Sequence, residues 1–220
     1  MDEVEAPSFQ RARRPEHREL RKQEILDAAE ALLAEMPADE ISLRELGRRL
    51  GVSKTHVVRY FESREGVFLG LLNRLRLSWL DALAEEWPAP PCEPDRVMRA
   101  WADSLAARPV LCQLWSLLPS VLERNVSADT VRIYKLVDLE QRTRLAKLVR
   151  DRVPALTADA ALTLTEYAVV SQVGLWPFSN PTPTVAEATA DPRLAGSRVD
   201  FATMYGEILQ TTLAGLLTRA

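Results

Sequence analysis

A single glycine, residue 51, separates two runs of helical spacing, and this punctuation limits the chain more than any other feature. The stretch over 42–64 reads SLRELGRRLGVSKTHVVRYFESR. Leu43, Leu46 and Leu50 repeat on one helical face. Ser42 with Glu45 three residues on is a capping box, in which each side chain can satisfy a free backbone N–H at the helix start. Gly51 follows the last apolar position, where a left-handed residue stops a helix. Val52 closes the corner, and Ser53 is an N-cap candidate for the next helix. The spacing sends Val57, Val58 and Phe61 inward and leaves Lys54, Thr55, His56 and Arg59 pointing out.

Two short helices joined by a glycine turn, the second polar and basic, form the helix-turn-helix pattern of proteins that read the DNA major groove. Amphipathic helix pairs also occur in proteins that never touch DNA, so charge has to separate the two readings. Over 42–64, Arg44, Arg48, Arg49, Lys54, Arg59 and Arg64 stand against Glu45 and Glu62, a local net charge of +4 in a chain of net −3. A confined basic face on an acidic protein fits a phosphate-binding patch.

Residues 1–17 read as a disordered arm, acidic first and then basic, with Arg11, Arg13 and Arg14 placed to reach phosphates or a minor groove. A helix over 18–35 carries Ile25, Ala28, Ala29, Leu32, Leu33 and Met36 on one stripe, and Pro37 ends it. Ser63 opens a helix expected to run to Glu86 with Val67, Phe68, Leu71, Leu72, Leu75 and Trp79 inside. Pro88, Pro90, Pro91 and Pro94 make residues 87–95 a stiff loop. Further helices are expected over 95–107, 110–118, 127–152, 157–178 and 200–219, Pro109 sitting where a helix start tolerates proline. A proline-rich loop is expected between Trp176 and Arg198. No segment has strand periodicity, so the chain reads as all-α. Residues 18–66 are expected to form a three-helix helix-turn-helix DNA-binding domain, and residues 67–220 a larger helical domain.

No apolar run reaches the roughly 20 residues a membrane span needs. The first residues, MDEVEAPSFQ, lack the order of a secretory signal. Cys92 and Cys112 are too few for a disulfide framework or a zinc cluster. Buried free thiols and a cytoplasmic setting are expected, with no membrane, metal or cofactor. The two histidines, His17 and His56, lie in the basic third, and no nucleotide-loop or hydrolase motif occurs. Catalysis is therefore not expected. The rival to a DNA-binding regulator is a helical protein-interaction module without operator binding.

The motifs ILDAAEALLAE and ISLRELGRRLGVSKTHVVRYFESREGVFLGLL, within residues 20–72, resemble the DNA-binding domain of TetR-type transcriptional regulators. Residues 73–220 have the length and helical content of that family's regulatory domain. The resemblance implies a homodimer, a palindromic double-stranded operator, repression, and release when a small-molecule effector fills the C-terminal domain. Val58 stands where the family often has a phosphate-binding tyrosine. Tyr60 takes the place of the usual His or Tyr, and Arg64 that of a common Lys.

Lys54, Thr55 and His56, in the first turn of the recognition helix after Ser53, are the candidates for base edges. Arg44 can reach a base or a phosphate. Arg59, Tyr60, Arg64 and the helix start at Ser42 are phosphate candidates. Trp101, Leu105, Leu111, Trp115, Tyr134, Val137 and Tyr167 are the candidate lining of a site for a largely apolar molecule. The helices over 157–178 and 200–219 are the dimer candidates. The first is too apolar to face water, and Ala168, Ser171 and Gly174 would let a partner helix approach.

Overall fold

The computed structural model describes residues 8–90 and 92–219, with side chains in the first helix from Glu16 onward. Among these residues there is no strand. Helices α1 (Ser8–Glu35), α2 (Leu43–Leu50), α3 (Lys54–Val58), α4 (Arg64–Glu86), α5 (Pro94–Ala106) and α6 (Pro109–Leu117) are followed by a π-helical turn, Leu118–Leu122. Then come α7 (Ala128–Arg152), α8 (Ala158–Ser179), α9 (Pro183–Ala188), a 3-10 turn at Pro192–Ser197, and α10 (Phe201–Leu217). No single helix among the described residues is long and apolar enough to cross a membrane.

Two expectations change at the level of elements. Of the arm over 1–17, residues 1–7 lie outside the described residues, and the chain from Ser8 is helix instead. Beyond residue 15 the sequence supplies good helix formers, and Lys22–Glu19 (3.4 Å) and Arg21–Glu24 (2.5 Å) pair one turn apart along the helix surface. The long loop before α10 holds two short helical segments, each opened by a proline, Pro183 and Pro192. Pro94 and Pro109 likewise sit in the first turn of α5 and α6. Proline has no N–H to leave unpaired there, and its φ is already helical.

The chain divides into two compact units at Leu71/Leu72, inside α4, five residues after the expected boundary. The first turns of α4 belong to the first unit because Gly70 faces it. A Cβ on Gly70 would meet the Phe61 ring at 3.0 Å and Leu26 at 3.4 Å. The first core gathers Ile25, Ala29 and Leu32 from α1, Ile41, Leu46 from α2, Val57 from α3, and Phe68 and Leu71 from α4. Val58, expected inside, is 41% exposed. Successive helical residues point about 100° apart, and Val57 takes the single inward position of this short helix.

The corner between α2 and α3 is set by two glycines. Gly51 is left-handed, φ 67°, and its N–H donates to the Arg48 carbonyl at 3.2 Å. Val52 N–H donates to the Gly47 carbonyl at 2.8 Å. That bond folds the incoming chain over residue 47 so closely that a Cβ there would lie 2.7 Å from the Val52 carbonyl oxygen.

In the second unit α5 packs on α10, and α8 packs on α6, α7 and α10. Its core is built of large aromatics. Trp79 meets Trp115 edge-on at 6.0 Å and donates its Nε1–H to Ser104 Oγ at 3.1 Å. Trp176 meets Phe201 edge-on at 5.1 Å, and Phe201 stacks on Tyr205. The Tyr205 hydroxyl donates to the Ala168 carbonyl at 3.0 Å, tying α10 to α8. Such ring pairs add to the area they bury by about 0.5–1.5 kcal/mol each. Cys112 is buried and its thiol pushed up to about 12 by that burial, so it stays an unreactive thiol.

Gly47→Ala would force the corner open and should destabilise the first unit by about 1–3 kcal/mol. Urea unfolding followed by far-UV circular dichroism tests this; a midpoint equal to the parent would show that the Val52 carbonyl moves aside freely.

Candidate functional site

Helices α2 and α3 are each fixed at the start by a serine. Ser42 Oγ accepts from Glu45 N–H at 3.1 Å, and Ser53 Oγ accepts from His56 N–H at 3.2 Å. Each serine uses an acceptor lone pair in the cap and keeps its O–H to donate outward. The capping box forms only by half, because the Glu45 carboxylate binds Arg48 (2.5 and 3.0 Å) in place of its other role.

Charge on this surface is sorted by partner. Arg48 pairs with Glu45, and Arg49 with Glu35. Hydrogen bonds from those guanidinium groups hold both carboxyls below their usual range. Arg44, Lys54 and Arg59 are exposed and have no ion-pair partner among the described residues. Three uncompensated cations thus remain around α2 and α3. Thr55 is exposed, while His56 and Tyr60 are half-buried with ring centroids 5.4 Å apart. A shallow groove of about 440 Å³ is lined by Ser42, Leu43, Arg44, Lys54 and Arg64.

Arg64, expected to contact phosphate, already has bonds within the chain. Its Nη1 donates to the carbonyls of Asp39 and Ile41 at 3.2 Å each and lies 3.5 Å from that of Ala38. Its Nε and Nη2 donate to the Glu65 carboxylate at 3.1 and 2.7 Å. The fork is thus occupied in closing the loop before α2, which otherwise lacks donors for its carbonyls. Sequence reasoning also passed over Gly47. A glycine inside an otherwise amphipathic helix was the available signal.

In the second unit the structure buries most of the candidate lining. Trp101, Leu105, Leu111, Trp115 and Tyr134 are buried, on α5, α6 and α7. Val137 is half-buried. Tyr167 is 52% exposed on α8 and does not join them. The sequence of α8 is apolar on nearly all sides, so its pattern does not mark which face is covered. Its buried face carries Ala161, Leu164, Ala168, Leu175 and Trp176, leaving Tyr167 on the other side. That outer face is itself apolar: Leu162, Tyr167, Val170 (71% exposed) and Phe178 recur every turn or so, with Gly174 open between them. Met204 is similarly exposed on α10.

Buried polar residues were not foreseen, among them Arg76 on α4, Asp138 and Gln141 on α7, and Gln172 on α8. Arg76 falls between Leu72, Trp79 and Leu80 at core spacing, and Asp138 between Tyr134 and Leu145. Charge at a core position was the signal.

Residues 25–71 match the model described as "Bacterial regulatory proteins, tetR family", and residues 74–220 match "Tetracyclin repressor-like, C-terminal domain". The HTH-type transcriptional regulator EthR of Mycolicibacterium smegmatis is 25% identical over 209 residues, covering 80% of this chain and 96% of that one. Among solved structures, the fatty acid degradation regulator FadR from Bacillus halodurans is 15% identical, TM-score 0.55, covering 88% of this chain and 98% of that chain. A transcriptional regulator from Rhodococcus sp. Rha1 is 19% identical, TM-score 0.56, covering 90% and 97%. At those identities the solved structures establish a shared fold.

Removing the Arg64 fork leaves two backbone carbonyls without donors, so Arg64→Ala should lower stability by about 1–3 kcal/mol. Lys54→Ala touches nothing and should stay within about 0.5 kcal/mol of the parent. Thermal unfolding of both variants distinguishes these roles; equal midpoints would return Arg64 to the surface.

Proposed function

The chain belongs to the tetR family of bacterial regulatory proteins, and from that premise we propose that it is an effector-responsive repressor that binds a palindromic operator as a homodimer. It is a DNA-binding transcriptional regulator and not an enzyme. The observation that carries the finer reading is the set of unpartnered cations, Arg44, Lys54 and Arg59, around a serine-capped α3.

Lys54 and Thr55 open α3 and reach base edges, Lys54 as a donor to guanine O6 or N7. His56, backed by Tyr60, reads the rim. Arg44 and Arg59 bind phosphates, with the free O–H groups of Ser42 and Ser53 beside them. The helix starts at Leu43 and Lys54 add their positive dipole ends to phosphate attraction. Val58 supplies an apolar contact where a hydroxyl would have bound phosphate. Arg64 acts indirectly, by holding the loop that presents Ser42.

The exposed apolar faces of α8 and α10 are the dimer surface. A two-fold contact there is self-complementary and sets the spacing of two recognition helices along the duplex. The effector enters the second unit near Trp101, Leu105, Leu111, Trp115, Tyr134 and Val137. Because α4 is one continuous helix across the Leu71/Leu72 boundary, a shift in its second half is carried into its first turns. A coupling of about 1–3 kcal/mol is typical of such devices. The protein works in the cytoplasm, where its operator is.

Fluorescence anisotropy with DNA from upstream of its own gene should show salt-sensitive, sequence-selective binding. Equal weak affinity for any duplex would instead favour a helical interaction module. Lys54→Ala should weaken operator binding by about 1–3 kcal/mol and relax preference at one base pair; a loss uniform across operator variants would move Lys54 to the backbone. Val170→Glu should yield a folded monomer by light scattering, and a persisting dimer would displace the interface from α8.

A further inference from the structure

The second unit buries an ion pair that has more hydrogen-bond donors around it than the chain satisfies. Arg76, 2% exposed, donates from Nη1 to Asp138 Oδ1 at 2.5 Å. The other oxygen of Asp138 pairs with Arg142 Nη2 at 2.7 Å. One carboxylate therefore serves two guanidinium groups, that of Arg76 buried and that of Arg142 30% exposed. The Nε–H of Arg76 and that of Arg142 are both buried without a partner. The Arg76 guanidinium lies 4.6 Å from the centroid of the Trp115 ring, whose own Nε1–H is buried and unpartnered. Tyr134, one turn before Asp138 on α7, is buried, and its hydroxyl also lacks a partner. Four N–H and O–H donors thus await an acceptor beside a buried ion pair and a part-exposed guanidinium.

We propose that Arg76, Arg142, Tyr134 and Trp115 anchor the carboxylate of a small-molecule effector whose body is apolar. The proposal rests on the effector-responsive reading above and narrows its ligand from apolar molecules in general to amphipathic monocarboxylates. Buried polar groups in folded proteins nearly always find partners, and a charged donor left without one is expensive. Water could occupy the donors but brings no charge to pair with the second guanidinium, that of Arg142. A carboxylate brings both the lone pairs and the charge, and guanidinium groups present donors in the geometry carboxylates accept. Burial raises the Tyr134 phenol well above its ordinary value, so it remains a donor at neutral pH. The unpartnered carbonyl oxygens of Asn73 and Gln141 lie three residues before Arg76 and three after Asp138. They fit a hydroxyl or a water beside the head group. Trp79, against Trp115, and Leu111 offer apolar surface to the rest of the molecule.

Matched pairs of monocarboxylates and their primary amides test this on the full-length protein: benzoate and benzamide, phenylacetate and phenylacetamide, octanoate and octanamide. Binding is read by tryptophan fluorescence and by the rise in Tm. At least one carboxylate should bind about tenfold or more tightly than its amide. Arg76→Met should abolish that preference. Tyr134→Phe removes a hydroxyl that has no partner in the free protein, so it should leave Tm unchanged or raised while weakening carboxylate binding about tenfold. This second variant keeps the test intact if Arg76→Met fails to fold. Amides equal to carboxylates, no binding by any of the six, or an unchanged carboxylate affinity in Tyr134→Phe would each overturn the anchor. A carboxylate that binds with the expected preference yet does not release operator DNA would uphold the anchor and overturn the effector-release reading.

Discussion

The reading head depends on the absence of a side chain at residue 47. The Val52 carbonyl comes to 2.7 Å from where a Cβ would stand, and this approach lets the chain turn back sharply enough for α3 to leave the corner. Gly51 makes the reversal with a left-handed φ, and the Val52 N–H returns to the Gly47 carbonyl. With the corner closed, Leu46 and Val57 reach one core, and Ser53 caps the next helix. Arg44 and Lys54 then line one groove. Rigid placement of a few donors is what converts nonspecific attraction to phosphate into a register on DNA.

Around that corner arginines have divided labour. Arg48 and Arg49 are neutralised by neighbouring carboxylates, and Arg64 closes a loop. Arg44, Lys54 and Arg59 are left exposed without such a partner. The same physical rule operates in the second unit in reverse. There Arg76 and Asp138 are buried, and removal from water is tolerable only with close partners. Donors left over in such a place mark a position where the folded chain alone does not complete the hydrogen bonding.

Helix α4 is a single rod of 23 residues. At about 1.5 Å per residue it is roughly 34 Å long. Its first turns hold Phe61 and Leu26 against Gly70, while Arg76 and Trp79 belong to the aromatic and charged interior of the second unit. A helix cannot bend sharply without a proline, a bulge or an inserted group.

The sequence by itself determined most of the helices and the caps that start them, though not the early start of α1 or the short segments after α8. Ser42, Ser53, Ser127, Thr157 and Asp200 each accept a backbone N–H at the helix start, and Gly51 adopts the left-handed conformation that only a residue without Cβ takes freely. These are local events, settled within four residues, so they can be read from order alone. What tertiary structure decided was which face of each helix is covered. Val58 and Tyr167 lie outside although hydrophobicity sent them in, and Arg76 lies inside although charge should keep it out. Arg64 was legible as a cation but not as one whose donors are already taken. Burial and hydrogen-bond partners are set by residues distant in sequence, Asp138 for Arg76 and Ile41 for Arg64, and no periodicity along one segment contains that information.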